Sequence, residues 1–223
     1  MCNAYSLKTS LAAIGEAARA QLGLALAFPE GVTAATSNLP VPADLYPKKD
    51  GLFLRPVGSG GGGLEPAVGR WGLVPWNHKG SLKAVKFPCN NARSETMAAK
   101  WPFREAVAKR RCVIPMTAFT EWTGPAGSKT RHSITAAAGG LLFAAGLWED
   151  ANPDEGPLTS YTMVMCATAE GDDMAPFHDR QPVLLDAARA ATWLDLGADY
   201  GGILKAMPPG WLAVDPREPA PAG

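Results

Sequence analysis

The sequence has no cysteines or histidines at the spacing that is typical of metal ligands. The four cysteines are scattered, with no CxxC pair and no histidine pair nearby, at Cys2, Cys89, Cys112 and Cys166. Neither a zinc site nor a disulfide framework is therefore indicated, and we expect no cofactor and no metal. Free thiols fit a reducing compartment, so we expect a cytoplasmic protein.

Long apolar runs are also lacking. The most apolar stretch, residues 11–28, is interrupted by Glu16 and Arg19. It therefore predicts an amphipathic helix that begins near Thr9 or Ser10, rather than a signal peptide. Nothing in the sequence is long and apolar enough to predict a membrane span, and we expect no membrane partner.

Net charge is zero, because 21 basic side chains balance 21 acidic ones. The total therefore gives no argument for a polyanionic partner. The charges are unevenly placed, however, since residues 79–111 carry nine basic and two acidic side chains. From Glu149 to the end, thirteen acidic side chains stand against four basic ones. The basic centre fits a local anion site.

The pattern of short strands favours an α+β fold. With 223 residues, the chain suits one domain or two small ones, and we predict a single domain over residues 1–215 and a disordered tail over 216–223. Helices are predicted around 95–109, broken by Pro102, and over 186–196 behind Asp186 as an N-cap. Strand-like segments joined by short connections predict an antiparallel, partly closed sheet or barrel flanked by helices, and they lie at 52–57, 69–74, 111–122, 131–136, 141–148 and 160–168.

A run of small residues, GSGGGG at 58–63, resembles a phosphate-binding loop only superficially. No GK[ST] follows it and no helix is predicted to begin there. We interpret it as a flexible surface loop.

The chain begins MCNAY, so removal of Met1 would give Cys2 a free α-amine beside its thiol. An α-amine with a pKa of about 7.7 to 8.0 is partly neutral at neutral pH and can add to an aldehyde as a Schiff base. The thiol can then close onto the same carbon to form a five-membered thiazolidine ring. No internal cysteine offers this 1,2-aminothiol.

Four further stretches combine reactive polar side chains with strand residues: RWGLVPWN at 70–77, NNARSET at 90–96, RCVIPMTAFTEW at 111–122 and APFHDRQPVLL at 175–185. Each taken singly has a structural explanation. Together with Cys2, and in this order along nearly the whole chain, they resemble the SOS response-associated peptidase family, whose members shield abasic sites in single-stranded DNA. The resemblance implies the fold of that family and a role in the DNA damage response.

The resemblance implies a catalytic set of Cys2, Asn91, Glu121 and His178. Glu121 would donate protons for opening the abasic sugar and for loss of water, because a carboxyl held beside Phe119 and Trp122 has reason for a raised pKa. His178 would act as a second acid or base, or hold the opened sugar hydroxyl. Asn91 would orient Cys2.

The implied partner is single-stranded DNA that contains abasic sites, bound by a monomer that is nucleoid-associated while on DNA. Basic side chains would contact phosphates and tryptophans would stack on neighbouring bases or wedge the strand open. The candidates are Arg93, Arg70, Lys83, Lys86, Trp71 and Trp122.

Two departures from the family pattern stand out. Many relatives have Gly-Arg after the cysteine and use that arginine on phosphate, whereas Asn3 and Ala4 stand here. Gln181 replaces a methionine that is usual in the last motif, a change that concerns packing more than chemistry.

The sequence leaves several alternatives open. Met1 can be removed by the protein itself, in keeping with the peptidase name, or by a methionine aminopeptidase. The main rival function is an N-terminal-nucleophile cysteine amidohydrolase, since glutamine amidotransferases also begin Met-Cys. A noncatalytic single-strand DNA-binding module and a Cys-His-Glu peptidase with an internal nucleophile are further alternatives.

Overall fold

A computed structural model of the protein describes residues 2–41, 43–58, 63–85 and 89–217. Within these ranges the chain forms three α-helices, α1 (Leu11–Ala17), α2 (Phe103–Lys109) and α3 (Ala187–Leu194). Helix α1 continues into a π-helical turn over Ala18–Leu22, and 3₁₀ turns lie at Leu82–Ala84 and Gly201–Ile203. The strands in the same ranges are β1 (Tyr5–Ser6), β2 (Asp44–Leu45), β3 (Asp50–Pro56), β4 (Leu64–Trp71), β5 (Asn91–Arg93), β6 (Arg111–Met116), β7 (Ala118–Thr123), β8 (Thr130–Ala136), β9 (Leu142–Ala151), β10 (Leu158–Ala167), β11 (Arg180–Pro182) and β12 (Leu212–Arg217).

Five strands close into a barrel. Strand β3 pairs antiparallel with β4 and β6, β6 pairs with β9, and β9 pairs with β10. The ring closes where β10 meets β4 in parallel, with Ser160 opposite Arg70 and Tyr161 opposite Trp71. Apolar side chains such as Phe53 fill the interior and are fully buried. The predicted α+β fold with an antiparallel, partly closed sheet is confirmed.

A second, antiparallel sheet of five strands has the order β12-β8-β7-β1-β2. The chain runs directly from the barrel into this sheet, because the consecutive strands β6 and β7 belong to the barrel and to this sheet respectively. The chain passes between them at Thr117, whose backbone N–H donates to Ser6 O at 2.7 Å. The stretch 111–122, predicted as one strand-like segment, is therefore two strands that join the two sheets.

Strand β10 brings two distant motifs together. One of its edges pairs first with β4 and then with β5, and the other pairs first with β9 and then with β11. Met165 is paired with Arg93 on one side and with Pro182 on the other. The segments NNARSET and APFHDRQPVLL therefore flank a single strand.

The predicted helix starts are confirmed at two positions. Ser10 caps α1 by accepting a hydrogen bond from Ala13 N at 3.1 Å, and Asp186 caps α3 by accepting one from Arg189 N at 2.8 Å. The helix predicted around 95–109 is only partly present, because turns run to Pro102 and α2 begins after it. Proline at this position lacks the N–H that a longer helix would need.

The last described strand passes the predicted domain boundary at 215. Strand β12 pairs with β8 from Leu212 to Arg217, so the first two residues of the predicted tail belong to the sheet. Residues 218–223 and residues 59–62 of the glycine-rich run lie outside the described ranges. Among the helices that the structure describes, none has the length and apolar character to cross a membrane.

Candidate active site

The N-terminal segment is anchored between the barrel and the second sheet. Cys2 is fully buried, and its carbonyl oxygen accepts a hydrogen bond from Asn91 Nδ2 at 2.7 Å. Thr120 N donates to Ala4 O at 2.9 Å, and the Cys2 thiol donates to the same oxygen at 3.4 Å. Residues Cys2 and Ala4 are therefore held in position by β5 and β7 respectively.

The Cys2 thiol is strongly disposed to remain protonated. Burial raises its pKa to about 12, and the negative charge of Glu121 adds to this effect. Both causes disfavour the thiolate. At neutral pH the thiol in this arrangement is therefore a poor nucleophile by itself.

Glu121 lies on β7 and is 3% exposed. Burial raises its pKa to about 7, and the charge of Asp179 acts in the same direction. Its Oε1 atom is buried and has no hydrogen-bond partner among the described residues. Because the protonated and ionised forms coexist near neutral pH, this carboxyl is suited to general acid and base work.

His178 lies in the segment that precedes β11. Its Nδ1 atom accepts a hydrogen bond from Arg180 N at 2.9 Å, and its carbonyl oxygen accepts one from Thr168 Oγ1 at 2.9 Å. Asp179 Oδ1 is 2.8 Å from the same Nδ1, a contact that favours the imidazolium, but burial outweighs it and lowers the pKa of His178. Burial therefore favours the neutral ring over the imidazolium.

An ion pair ties the two motifs that flank β10. Arg180 Nη1 donates to both carboxylate oxygens of Glu95, at 2.8 and 2.9 Å. Arg93 follows Asn91 by two residues on β5, so its side chain leaves the strand on the same face, and it is exposed. An exposed guanidinium thus stands beside the residue that holds Cys2.

Two of the buried polar atoms without partners belong to residues that act on Cys2. Within the described part of the chain, Asn91 Oδ1 and Glu121 Oε1 are both buried and unpaired. Such atoms are rare in folded proteins because each one costs free energy. Asn91 donates to the Cys2 carbonyl oxygen, and the charge of Glu121 acts on the Cys2 thiol, so both unpaired atoms are suited to a polar ligand bound beside Cys2.

His132 is the site residue that sequence reasoning missed. It is 7% exposed and lies on β8 directly opposite Glu121. Its Nε2 atom is 2.7 Å from Thr123 Oγ1, and its ring centroid is 4.8 Å from that of Phe177. A histidine inside a strand pattern gives no distinguishing signal, and only the β7–β8 register places it here.

The prediction that Trp71 stacks on DNA bases is wrong. Its side chain is fully buried, packs edge-on against Tyr5 with ring centroids 5.0 Å apart, and donates from Nε1 to Asn90 O at 2.8 Å. Trp71 therefore belongs to the core and supports the segment that carries Asn91.

Other tryptophans do reach the surface. Trp122 is 39% exposed and lies opposite Arg131, whose guanidinium carbon is 6.0 Å from the indole centroid. Trp76, in the motif RWGLVPWN, is 59% exposed. These two side chains, unlike Trp71, have a free aromatic surface.

The contacts of the remaining basic candidates do not involve Cys2 or the residues that bond to it. Arg70 is half-buried, donates to Gly72 O at 2.9 Å, and has its pKa lowered by burial. Lys83 is exposed on a 3₁₀ turn whose neighbouring N–H, that of Leu82, is bonded to Glu155 at 3.0 Å. Lys86 lies outside the described residues. The described residues also include no cluster of three or more His, Cys, Asp or Glu that could hold a metal ion.

Comparison with known sequences identifies the family. The model of the SOS response associated peptidase (SRAP) family matches residues 1–209, and the chain belongs to this family. It is 35% identical over 129 residues to the abasic site processing protein YoqW of Bacillus subtilis (strain 168), which covers 56% of this chain and 55% of that protein. It is 30% identical over 151 residues to the abasic site processing protein HMCES of Xenopus tropicalis, covering 59% and 45%. The chain thus spans about half the length of the curated relatives it matches.

Comparison with solved structures extends over nearly the whole chain. A crystal structure of a protein from Bordetella bronchiseptica is 28% identical, with a TM-score of 0.77, and covers 97% of this chain and 100% of its own. A crystal structure of a protein from Bacteroides thetaiotaomicron has the same TM-score at 21% identity, covering 97% and 92%. The second likeness concerns the fold alone.

Proposed function

We propose that this protein processes abasic sites by forming a covalent bond to them in single-stranded DNA. One observation carries the proposal: Glu121, a buried carboxyl with a pKa of about 7, lies close enough to Cys2 for its charge to raise the pKa of that thiol. A carboxylic acid beside Cys2 can donate a proton to a reaction of the Cys2 amine and thiol. The names of the relatives, abasic site processing proteins, support the same substrate.

Removal of Met1 would expose the α-amine of Cys2 as the first nucleophile. The buried thiol holds its proton at neutral pH, whereas an ordinary α-amine with a pKa of about 7.7 to 8.0 is partly neutral there. The amine therefore adds first to the aldehyde carbon of the open-chain abasic sugar. Asn91 holds the Cys2 carbonyl while this bond forms, and its unpaired Oδ1 is a further acceptor beside the same residue.

Glu121 would then donate its proton to the hydroxyl of the carbinolamine, which leaves as water and gives a Schiff base. This Schiff base keeps one proton on its nitrogen, so the Cys2 sulfur adds to the iminium carbon and the thiol proton returns to the Glu121 carboxylate. The product is a thiazolidine, and the balance for the two steps is the loss of one water. His178, whose neutral ring is favoured by burial, would hold the hydroxyl that is freed when the sugar opens.

The DNA strand would be held by its backbone, because the reacting nucleotide has no base to recognise. Arg93 is exposed beside Asn91 and would contact a phosphate. The exposed indole of Trp122, at the end of β7, would stack on a base further along the strand of DNA. Trp76 offers a second exposed indole in place of the buried Trp71.

A denaturing gel tests the proposal. Protein shown by intact mass to lack Met1 is mixed with a single-stranded oligonucleotide that carries one abasic site. The expected result is a heat-stable shifted band that is lost with Cys2→Ala and with an oligonucleotide that has no abasic site. Absence of the band for the unmodified protein would contradict the proposal, and glutaminase activity from the same preparation would favour the amidohydrolase.

A further inference from the structure

Two adjacent asparagines of the motif NNARSET contact two adjacent residues of the N-terminal segment. Asn91 Nδ2 donates to the carbonyl oxygen of Cys2 at 2.7 Å. Asn90 Nδ2 donates to the side-chain oxygen Oδ1 of Asn3 at 3.0 Å. The peptide group that joins Cys2 to Asn3 is therefore held at its own oxygen and, through the Asn3 side chain, at a second point.

The donor Asn90 is itself fixed to the core. It is 5% exposed, and its carbonyl oxygen accepts hydrogen bonds from Trp71 Nε1 at 2.8 Å and from Met163 N at 3.1 Å. Trp71 is fully buried, and Met163 lies in the middle of β10. The backbone of Asn90 is thus held by two buried groups, and its side chain reaches Asn3 from a fixed position.

The acceptor Asn3 lies in a different environment. Its side chain is exposed, whereas Cys2 and Ala4 on either side of it are buried. Among the residues that the structure describes, the Asn3 side chain has no hydrogen-bond partner other than Asn90. Ordering an exposed side chain costs conformational entropy, so a directional contact is needed to hold it in one rotamer. The bond from Asn90 supplies that contact.

The second attachment matters for the direction of the Cys2 amine. A peptide group held at one oxygen can pivot about that oxygen, and the pivot rotates the Cα–C bond of Cys2. This rotation changes where the amine and the thiol point. Catalytic rates are sensitive to such changes, because a displacement of about 1 Å can cost about 100-fold.

We propose that Asn90 and Asn3 are positioning residues that orient the amine and thiol of Cys2 toward the abasic carbon. Neither side chain contacts the reacting atoms, and both act through the backbone of Cys2. The contact needs an acceptor at position 3, which a glycine after the cysteine, as in the family pattern, does not provide. The inference deepens the function proposed above and rests on it for its chemical meaning.

The first experiment is single-turnover crosslinking over a range of concentrations of an abasic oligonucleotide. Asn3→Ala and Asn90→Ala should each lower the maximal rate by about 2-fold to 10-fold, as expected for the loss of one hydrogen bond. The DNA concentration that gives half the maximal rate should not change. The exposed Asn152→Ala is the matched control and should leave both quantities unchanged. An unchanged maximal rate in folded Asn3→Ala, or a change confined to the half-maximal concentration, would overturn the inference.

The double variant Asn3→Ala/Asn90→Ala separates a shared contact from two independent effects. Both substitutions remove the same hydrogen bond, so the double variant should be about as slow as the slower single variant. Rate losses that multiply in the double variant would overturn the inference. If Asn90→Ala does not fold, Asn3→Ala retains the test, because Asn3 is exposed.

A second readout needs no DNA. The ¹⁵N order parameters of the backbone amides of residues 3 and 4, measured in protein that lacks Met1, report how firmly this segment is held. They should fall in Asn3→Ala and in Asn90→Ala and stay the same in Asn152→Ala. Unchanged order in the first two variants would overturn this inference alone, whereas the absence of any crosslink from the unmodified protein would overturn the function proposed above.

Discussion

Asn91 Nδ2 donates a hydrogen bond to the carbonyl oxygen of Cys2 at 2.7 Å. The donor lies on β5, a strand of only three residues, Asn91–Arg93, that pairs with the middle of β10. The barrel thereby fixes the position of a residue that stands 89 positions earlier in the chain. Placement of the N-terminal residue is thus a property of the fold.

Replacing Asn91 by Ala should slow crosslinking to abasic DNA. Loss of one buried hydrogen bond costs about 1 to 3 kcal/mol. If that cost falls on the reacting geometry, the rate falls by about 5-fold to 150-fold. Single-turnover kinetics with an abasic oligonucleotide measure this, with Asn38→Ala on an exposed loop as the control. An unchanged rate for folded Asn91→Ala would remove Asn91 from the mechanism.

Crosslinking should depend on pH through Glu121. Its pKa of about 7 means that the protonated fraction falls about tenfold per pH unit above neutrality. We expect the rate to decline on the alkaline side, and Glu121→Gln to slow crosslinking by about 100-fold or more with no such decline. The exposed Glu170→Gln is the matched control. The same alkaline decline in Glu121→Gln would assign it to another group.

Glu121 should also make the protein less stable as the pH rises. Its pKa is about 7 in the folded chain, against an ordinary value of 4.5 for glutamate, so the folded state binds the proton more tightly. The associated stability is fully present below the unfolded-state pKa and is lost as pH rises through the folded-state value. Each pKa unit corresponds to about 1.4 kcal/mol, which sets the total loss at about 3 kcal/mol at most.

Urea unfolding of the unmodified protein and of Glu121→Gln at several pH values measures this effect. The free energy of unfolding of Glu121→Gln, relative to that of the unmodified protein, should rise between about pH 5 and pH 8. A constant difference across this range would mean that Glu121 titrates as an ordinary exposed carboxyl.

Arg93 should account for part of the salt dependence of DNA binding. Each phosphate contact on a single strand contributes a slope of about −0.7 in a plot of log affinity against log salt concentration. Arg93→Ala should make the slope less steep by about that amount. Arg104→Ala removes an equal charge from α2 and should leave the slope unchanged. Fluorescence anisotropy with an intact oligonucleotide, measured over a range of salt concentrations, gives the slope for each variant. Equal slopes for both variants would show that Arg93 does not contact a DNA phosphate.

Sequence patterns predicted the elements better than they predicted side-chain directions. Local signals were sufficient for Ser10 and Asp186, because a helix cap depends on residues three positions apart. Trp71 was misassigned because alternation along β4 does not say which face of the strand meets the core. The burial of Trp71 follows from closure of the barrel, where it pairs with Tyr161.

The candidate site was predicted in part for the same reason. The cysteine at position 2 and the motif residues Asn91 and Glu121 were identifiable by residue type and order, and the fold brings these two to the N-terminal segment. His132 could not be identified, because its relation to Glu121 depends on the register of β7 against β8. Register is set by pairing across the sheet and leaves no mark in a single strand's sequence.

Crosslinking through the Cys2 amine and thiol is tested most directly by the mass of the protein–DNA adduct before and after treatment with borohydride. We expect an adduct whose mass is that of protein without Met1 plus abasic oligonucleotide, less one water. Borohydride should leave it unchanged, because a thiazolidine has no imine to reduce. A gain of two hydrogens would show that the adduct stops at the Schiff base, and an adduct that still contains Met1 would contradict the central role of the Cys2 amine.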